Sequence, residues 1–206
     1  MIPVRVKVCG ITRAEDAELA VRLGAAAIGF VLWEGSPRYV NVSTAAAISS
    51  LLPPFIARVG VVVNQPADQV AAAVGAAGLD VVQLHGDEAV AAYRGVSRRL
   101  VRAVAIESPA DVAAALNAPS DVTILADATD ATRRGGTGRR ANWRLAAEVA
   151  RRRPLILAGG LTAENVGEAI ASVRPWAVDV SSGIEVSPGI KSPERLEAFF
   201  AAMEMS

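Results

Sequence analysis

The chain contains very little cysteine and histidine. Among its 206 residues there is one of each, Cys9 and His85. A single cysteine cannot form an intramolecular disulfide, so nothing in the sequence calls for an oxidising compartment. One cysteine and one histidine also cannot build a Cys/His metal centre, and the sequence therefore predicts no metal site.

Excess charge of one sign and long apolar runs are also lacking. The 21 basic side chains are balanced by 21 acidic ones. Proteins that bind nucleic acid or anionic membranes usually carry a basic excess, so neither partner is predicted. No segment is apolar for the roughly 18 residues that a membrane span needs. The N-terminus also lacks the apolar stretch of a signal peptide, and we expect a cytoplasmic protein.

Strand-like and helical segments alternate along the whole chain. Short runs of Val, Ile and Leu, typical of strands buried on both faces, are separated by longer Ala-rich segments with helical spacing. Eight such pairs predict an α/β fold, a single (β/α)8 TIM barrel that spans residues 1–206 as one domain. The alternative is an open doubly wound sheet, but no Gly-x-Gly-x-x-Gly motif follows the first strand.

The boundaries of these segments follow from the same pattern and from capping residues. Thr12 and Glu15 have capping-box spacing, Ser108-Pro109 and Ser192-Pro193 are typical helix starts, and Gly75 is a candidate C-terminal cap. The predicted strands are Val4–Cys9, Ala26–Val31, Ala57–Val63, Val81–Leu84, Leu100–Ala105, Thr123–Asp127, Leu155–Ala158 and Ala177–Val180. The predicted helices are Arg13–Leu23, Ser43–Leu51, Ala67–Gly75, Glu88–Tyr93, Pro109–Leu116, Trp143–Arg152, Ala163–Val173 and Pro193–Met203.

Two ionisable residues, Cys9 and Asp127, end predicted strands. The C-terminal ends of barrel strands carry the functional residues of this fold. Cys9 is a candidate thiolate, because Lys7 shares its face of the strand and a nearby cation favours ionisation. Asp127 closes an apolar strand, where a carboxylate is costly unless it is solvated or paired. The alternatives are an inert core thiol for Cys9 and a helix cap or ion pair for Asp127.

Small residues follow the last two strands. Gly159 and Gly160 come after strand seven, and Asp179, Ser181 and Ser182 close and follow strand eight. Small residues expose backbone N–H groups, and the loops after strands seven and eight commonly hold phosphate in this fold. We therefore predict a phosphate site here; ordinary tight turns are the alternative.

Three other loops carry candidate ligand contacts. Gly136 and Gly138 lie between arginines in the long segment 129–142, which suits either an anionic ligand or a mobile surface loop. Arg38, after strand two, could grip a carboxylate or be solvated. His85 ends strand four, and we favour a structural or substrate-positioning role for it over proton transfer.

Several short segments between Lys7 and Lys191 form a specific set in order and spacing. They are KVCGIT (7–12), SPRYV (36–40), VGVVVN (59–64), VQLHGD (82–87), GGTG (135–138), LAGGL (157–161), VDVSSGIE (178–185) and PGIK (188–191). Together they resemble the phosphoribosylanthranilate isomerase family of tryptophan biosynthesis, over nearly the whole chain.

The resemblance implies a barrel that converts N-(5-phosphoribosyl)anthranilate to a deoxyribulose phosphate product by an Amadori rearrangement that needs no cofactor. It implies that Cys9 is the general base, that Asp127 is the general acid, and that Arg38 grips the anthranilate carboxylate. The predicted substrate-binding residues are Lys7, Arg38, His85, Gly136, Gly138, Gly159, Gly160, Asp179, Ser181 and Ser182.

The chain departs from the family near the general acid. It reads Ala141-Asn142-Trp143 where Phe-Asp-Trp is usual, and Ala126 where a leucine is usual, but both proton carriers are kept. The alternatives are another phosphosugar barrel enzyme and a non-catalytic barrel that binds a phosphate ligand. The expected partner is a small phosphoribosyl molecule, and the expected assembly is a monomer, with a homodimer left open.

Overall fold

Eight parallel strands form a closed barrel in the computed structural model, which describes residues 4–97, 99–127 and 142–204. The strands are β1 (Arg5–Cys9), β2 (Ala27–Val31), β3 (Ala57–Val62), β4 (Val81–Leu84), β5 (Leu100–Ala105), β6 (Val122–Asp127), β7 (Leu155–Leu157) and β8 (Ala177–Val180). Each pairs with the next along the chain, and β8 closes the ring against β1. The predicted (β/α)8 barrel is confirmed.

Helices connect the strands and cover the outside of the barrel. They are α1 (Ala14–Arg22), α2 (Val42–Leu51), α3 (Ala67–Ala77), α4 (Pro109–Asn117), α5 (Trp143–Ala150), α6 (Val166–Val173) and α7 (Pro193–Glu204). Their buried residues, such as Ile48, Val149 and Phe199, join the outward-facing strand residues in one large core. None of these helices has the length and apolar character that crossing a membrane requires.

A second, smaller core fills the inside of the barrel. It consists of Val59, Val81, Val101, Ala103, Leu125, Ile156, Ala158 and Ala177. Alternate residues of a strand share a face, so the strands that bury Val81 and Leu125 also direct Gln83, His85 and Asp127 inward, nearer their C-terminal ends. The interior is therefore apolar at its centre and polar toward one end.

The fourth connection differs from the prediction. A single turn of 3-10 helix, Val90–Tyr93, replaces the predicted helix Glu88–Tyr93. The Glu88 carboxylate instead accepts hydrogen bonds from the backbone N–H groups of Asn64 and Gly86, and it also pairs with Arg102. Those bonds hold Glu88 in the loop and leave too short a segment for an α-helix.

Two capping predictions are wrong and two are confirmed. The Thr12 hydroxyl donates to the carbonyl of Gly189, so it does not cap α1. Helix α3 continues past Gly75 and ends at Gly78, which has a φ of 60°. By contrast, the Ser108 side chain accepts from a backbone N–H in a capping box, and the Ser192 hydroxyl accepts from the N–H of Arg195.

Two short features follow the last barrel strand. A 3-10 turn over Ser182–Ile184 leads into a hairpin of β9 (Glu185–Ser187) and β10 (Ile190–Lys191), which precedes α7. The hairpin brings Glu185 and Lys191 back to the C-terminal end of β1 and the loop after β2. This excursion was not expected from the βα pattern.

The N-terminal end of the barrel has an open, largely apolar cavity of about 350 Å³. Phe55 and Trp176 are exposed beside it. The guanidinium carbon of Arg5 lies 4.6 Å from the centre of the Trp176 ring, a cation–π contact.

Candidate active site

The two predicted proton carriers lie at the same end of the barrel. Cys9 is the last residue of β1 and Asp127 is the last residue of β6. Each is only 8% exposed. Between them in the ring are β7 and β8. The two side chains therefore approach this end of the barrel from separate sectors, which is the arrangement that two proton carriers around one ligand require.

Space for the Cys9 thiol comes from the neighbouring strand. Gly29 on β2 is the register partner of Cys9. A Cβ at Gly29 would lie 2.9 Å from Cys9 Sγ and 3.0 Å from the Cε of Lys7. A larger residue at this position would collide with both side chains, so the glycine sets how Lys7 and Cys9 sit inside the barrel.

A buried ion pair lies below the thiol. Lys7 Nζ lies 2.8 Å from Asp179 Oδ1, and β1 and β8 place these two residues side by side. Burial alone would lower the pKa of Lys7, but the Asp179 carboxylate and the nearby Cys9 outweigh it and raise that pKa. Lys7 is therefore a permanent cation inside the barrel.

The charged neighbours of Cys9 have opposite signs and shift the pKa of its thiol in opposite directions. Burial, followed by the Asp179 carboxylate, raises the pKa of the Cys9 thiol. Lys7 and Lys191 act in the opposite direction without outweighing them. The expectation that Lys7 favours the thiolate is right in direction, but in the unliganded barrel Cys9 is a protonated thiol at neutral pH.

His85 connects the interior of the barrel to Asp127. Its Nε2 lies 3.2 Å from Asp127 Oδ2, and its Nδ1 lies 2.9 Å from the side-chain nitrogen Nε2 of Gln83. The contact with Gln83 is the one side-chain hydrogen bond of His85 within the described residues, because its Nε2, although close to Asp127, has no hydrogen-bond partner there. Gln83, 1% exposed, was not singled out from the sequence.

Arg38 is held at the rim by residues that the sequence did not reveal as partners. Glu185 Oε2 accepts from Arg38 Nη2 at 2.6 Å, and both carboxylate oxygens accept from its Nε. Lys191, whose side chain is fully buried, donates to Glu185 Oε1 at 2.7 Å and to the Cys9 carbonyl at 2.6 Å. Within the described residues, the hydrogen bonds of the Arg38 guanidinium all go to Glu185.

Burial and the surrounding charges also shift the pKa values of this cluster. Burial would raise the pKa of Glu185, but Arg38 and Lys191 outweigh it, so the pKa is lowered. Burial lowers the pKa of Lys191, and the Glu185 carboxylate opposes it only in part. Both residues lie in segments that carry the family resemblance, yet 147 positions separate Arg38 from Glu185, and no spacing rule links them.

The predicted phosphate loops lie beside each other. Gly159 and Gly160 have φ values of 89° and 62°. Gly183, at the start of the 3-10 turn with Ser182, packs so closely on the first loop that a Cβ there would lie 1.9 Å from the carbonyl oxygen of Leu161. The Ser181 hydroxyl lies 3.5 Å from Lys191 Nζ. The two loops thus form one continuous surface of small residues.

Two predicted ligand contacts, Gly136 and Gly138, lie outside the described residues, as does Ala141. The departure at Asn142 can be examined. Its side chain accepts from the N–H of Leu145 and caps α5. Asn and Asp are both strong N-caps, so this substitution keeps the local start of the helix.

Within the described ranges, no group of three His, Cys, Asp or Glu side chains could hold a metal ion. The polar groups at this end of the barrel are instead two proton carriers, a buried ion pair, a held guanidinium and two loops of small residues. Such a set suits acid–base chemistry on a ligand that carries a phosphate and a carboxylate.

Comparison with known proteins identifies the family. A family model described as N-(5'phosphoribosyl)anthranilate (PRA) isomerase matches residues 6–202. A Pseudomonas fluorescens protein named N-(5'-phosphoribosyl)anthranilate isomerase is 46% identical over 100% of this chain and 98% of its own. The Pelobacter propionicus protein of that name is 44% identical over 95% of this chain and 93% of its own.

Solved structures agree in fold over almost the whole chain. The phosphoribosyl anthranilate isomerase of Thermotoga maritima superposes with a TM-score of 0.90 at 39% identity, covering 98% of this chain and 100% of that one. An isomerase in complex with reduced 1-(o-carboxyphenylamino)-1-deoxyribulose 5-phosphate gives 0.87 at 39% identity, with the same coverage. The chain therefore belongs to the N-(5'-phosphoribosyl)anthranilate isomerase family.

Proposed function

We propose that this chain converts N-(5'-phosphoribosyl)anthranilate to 1-(2-carboxyphenylamino)-1-deoxyribulose 5-phosphate, a step of tryptophan biosynthesis. Its relatives carry the name of this isomerase, and a similar structure holds a reduced form of the product. The observation that carries the proposal is the placement of Cys9 and Asp127 at the C-terminal ends of β1 and β6.

Asp127 acts first, as the general acid. It donates a proton to the ring oxygen of the ribose, the bond between that oxygen and the anomeric carbon breaks, and the nitrogen lone pair forms a Schiff base. The position of Asp127 at the end of β6 directs its carboxyl group toward a ligand at this end of the barrel. His85, 3.2 Å from Asp127 Oδ2, lies where it can hold the resulting carboxylate.

Cys9 acts second, as the general base. It removes the proton from the sugar carbon next to the Schiff base, which gives an enolamine that tautomerises to the ketone. Asp127 has lost one proton and Cys9 has gained one, so the reaction is a net isomerisation. The raised pKa of Cys9 makes its thiolate scarce but strongly basic. Lys7 and Lys191 are the cations that favour that thiolate.

The remaining predicted residues position the substrate. Arg38, oriented by Glu185, offers the N–H groups that Glu185 does not engage to the anthranilate carboxylate. The loops with Gly159, Gly160 and Ser181 hold the phosphate, as loops after strands seven and eight do in this fold. Gly136, Gly138 and Ser182 are further proposed contacts, and Lys7 and Asp179 form the polar floor under the sugar.

The experiment is a turnover assay of the purified protein, without added metal, on freshly generated phosphoribosylanthranilate. We expect Cys9→Ala and Asp127→Asn each to lower kcat by ~10² or more, the usual contribution of a general acid or base. Ser50→Ala, near the C-terminal end of α2 and therefore on the N-terminal side of the barrel, is a control that removes an exposed hydroxyl.

Complementation of an isomerase-deficient tryptophan auxotroph, with the same variants, tests the function in cells. Unchanged turnover in either variant would remove that residue from its role. A folded wild type without turnover would instead favour a barrel that only binds a phosphate ligand.

Assembly and location are further parts of the proposal. One similar structure is of monomers generated from a dimeric isomerase of Thermotoga maritima. For this chain we propose a monomer located in the cytoplasm, with a homodimer as the alternative. Sedimentation at several protein concentrations distinguishes the two assemblies.

A further inference from the structure

A buried glutamine lies behind the proposed general acid. Gln83 is 1% exposed and lies inside the barrel, two residues before His85 on the same face of β4. Its Nε2 is 2.9 Å from His85 Nδ1, while its Oε1 has no hydrogen-bond partner within the described residues. A buried amide with one side unsatisfied is costly, and such groups are retained where they have a role.

The three side chains form a line that ends at Asp127. Between β4 and β6 lies β5, which presents only the small side chains Ala103 and Ala105 toward this space. The imidazole of His85 therefore reaches across β5, and its Nε2 lies 3.2 Å from Asp127 Oδ2. The charged groups that face this line are Asp127 on β6 and Asp179 on β8, the latter already paired with Lys7.

From this geometry we infer that Gln83 is a positioning residue that fixes the tautomer of His85 and thereby the placement of the proton on Asp127. The Gln83 amide donates to His85 Nδ1, so the neutral imidazole carries its hydrogen on Nε2. That Nε2 lies 3.2 Å from Asp127 Oδ2 but makes no hydrogen bond in the free structure. A rotation of the imidazole on substrate binding would let it donate to Oδ2, and the acidic proton of Asp127 would then be confined to Oδ1, the oxygen left for the substrate.

The same contact opposes a hydrogen on His85 Nδ1. An imidazolium would place a second N–H at Nδ1, directly against the donating amide of Gln83. A charged His85 would hold Asp127 as a carboxylate and remove the acid. The neutral Nε2–H tautomer instead stabilises the carboxylate more strongly than the carboxylic acid, which favours the transition state over the ground state.

The inference rests on the proposed acid role of Asp127, but the tautomer of His85 can be measured without substrate. His85 is the only histidine of the chain, so a tag-free, 15N-labelled sample gives one unambiguous pair of imidazole nitrogens. We expect the wild type to show a protonated Nε2 and an unprotonated Nδ1 across neutral pH. A dominant Nδ1–H tautomer or an imidazolium in this spectrum would overturn the inference.

Two variants test the consequence for catalysis. In Gln83→Leu the Nδ1 loses its donor, and we expect tautomer averaging and a fall in kcat of about ten- to hundredfold, with KM little changed. In Gln83→Glu the carboxylate accepts a hydrogen bond from a protonated Nδ1, and we expect an imidazolium signal and a similar loss of kcat that lowering the pH reduces. The pH profile separates this effect from a merely structural one.

Gln65→Leu is the matched control. Gln65 also donates through Nε2 over 2.9 Å, to the carbonyl of Leu32, and its Oε1 also has no partner in the described residues. We expect this variant to keep the wild-type kcat and the wild-type His85 spectrum. If the wild-type protein is active and Gln83→Leu keeps its kcat, the inference is overturned. If the wild-type protein is inactive but His85 shows the expected tautomer, the proposed function alone is overturned.

Discussion

At the scale of single residues, the site is governed by charges that are buried in pairs. Lys7 with Asp179 and Lys191 with Glu185 place two cations close to Cys9, yet each cation is already neutralised by its own carboxylate. Burial and Asp179 therefore dominate the thiol and raise its pKa. For Cys9 to act as the proposed base, its thiolate must therefore form when the substrate is bound or at high pH.

The titration of Cys9 tests this account. Its pKa is raised above the ordinary 9.0, so the ultraviolet absorbance of the thiolate should appear with a midpoint above that pH. The thiolate fraction grows as the pH rises through this midpoint. Cys9→Ser is the blank that corrects for tyrosine ionisation. A midpoint at or below 9.0 in the free protein would contradict the account.

Among the residues at the rim, Glu185 is predicted to cause the largest loss of folding stability when its charge is removed. Glu185→Gln leaves the fully buried Lys191 and the nearby Arg38 without a counter-charge. Removing one partner of a buried ion pair costs about 3–5 kcal/mol, which denaturant unfolding would measure. The double variant Glu185→Gln/Lys191→Met should recover part of this loss, because it removes the orphaned cation.

The effect of Glu185 on stability depends on pH in a defined direction. Its pKa is lowered from the ordinary 4.5, so the unfolded chain takes up the proton first as the solution is acidified. The stabilisation by Glu185 is complete above 4.5 and is lost as the pH falls through its lowered pKa in the folded state. The difference between wild type and Glu185→Gln should therefore shrink at acid pH.

At the scale of elements, the loops after β7 and β8 depend on each other. Gly183 leaves no room for a side chain, since a Cβ there would lie 1.9 Å from the Leu161 carbonyl oxygen. The hairpin of β9 and β10 then returns the chain, so that Lys191 bonds both the end of β1 and Ser181. The shape of the proposed phosphate site is thus set by contacts between loops.

Gly183→Ala should separate these two loops. We expect KM to rise about ten- to hundredfold, because a hydrogen bond to a charged group contributes about 1.5–3 kcal/mol, while kcat changes less. Steady-state kinetics provide both numbers. Gly75→Ala, at a site in α3 with nothing within 4 Å of the added Cβ, is the control and should leave KM unchanged. An unchanged KM in Gly183→Ala would remove this loop from phosphate binding.

At the scale of the whole molecule, the two ends of the barrel differ in the residues that they carry. The C-terminal end holds the ionisable residues, whereas the N-terminal end holds an apolar cavity with Trp176 and Arg5 in a cation–π contact. Residues at the N-terminal end of this fold contribute to stability rather than to catalysis. The same ring of strands therefore supports a reactive end and an inert one.

Trp176→Ala tests this division. The contact with Arg5 is partly exposed, and its loss should lower the free energy of unfolding by about 0.5–1 kcal/mol. We expect kcat/KM to remain at the wild-type value, because the packed interior separates Trp176 from Cys9 and Asp127. Urea unfolding and turnover measured on the same sample would check both parts, and a substantial loss of turnover would refute the division.

The sequence predicts the regular parts of the molecule well and the long-range side-chain contacts poorly. Strand ends followed from local apolar runs, and barrel topology then placed Cys9 and Asp127 at one end. The pairing of Arg38 with Glu185 depends on the hairpin of β9 and β10, which the periodicity of apolar residues does not predict. The helix expected to begin at Glu88 is absent because the Glu88 carboxylate accepts hydrogen bonds from the backbone of the loop. These are tertiary contacts, which the local sequence pattern does not predict.

The filled interior has a kinetic consequence. Leu125, Gln83 and Lys7, each nearly inaccessible, occupy the space between the N-terminal cavity and the reactive end. The described strands thus leave no passage along the barrel axis, and whatever enters must leave by the same opening. A departing ketose and an incoming aminosugar therefore exclude each other. We expect the product to inhibit competitively, and the rate then depends on how fast the next enzyme removes the product.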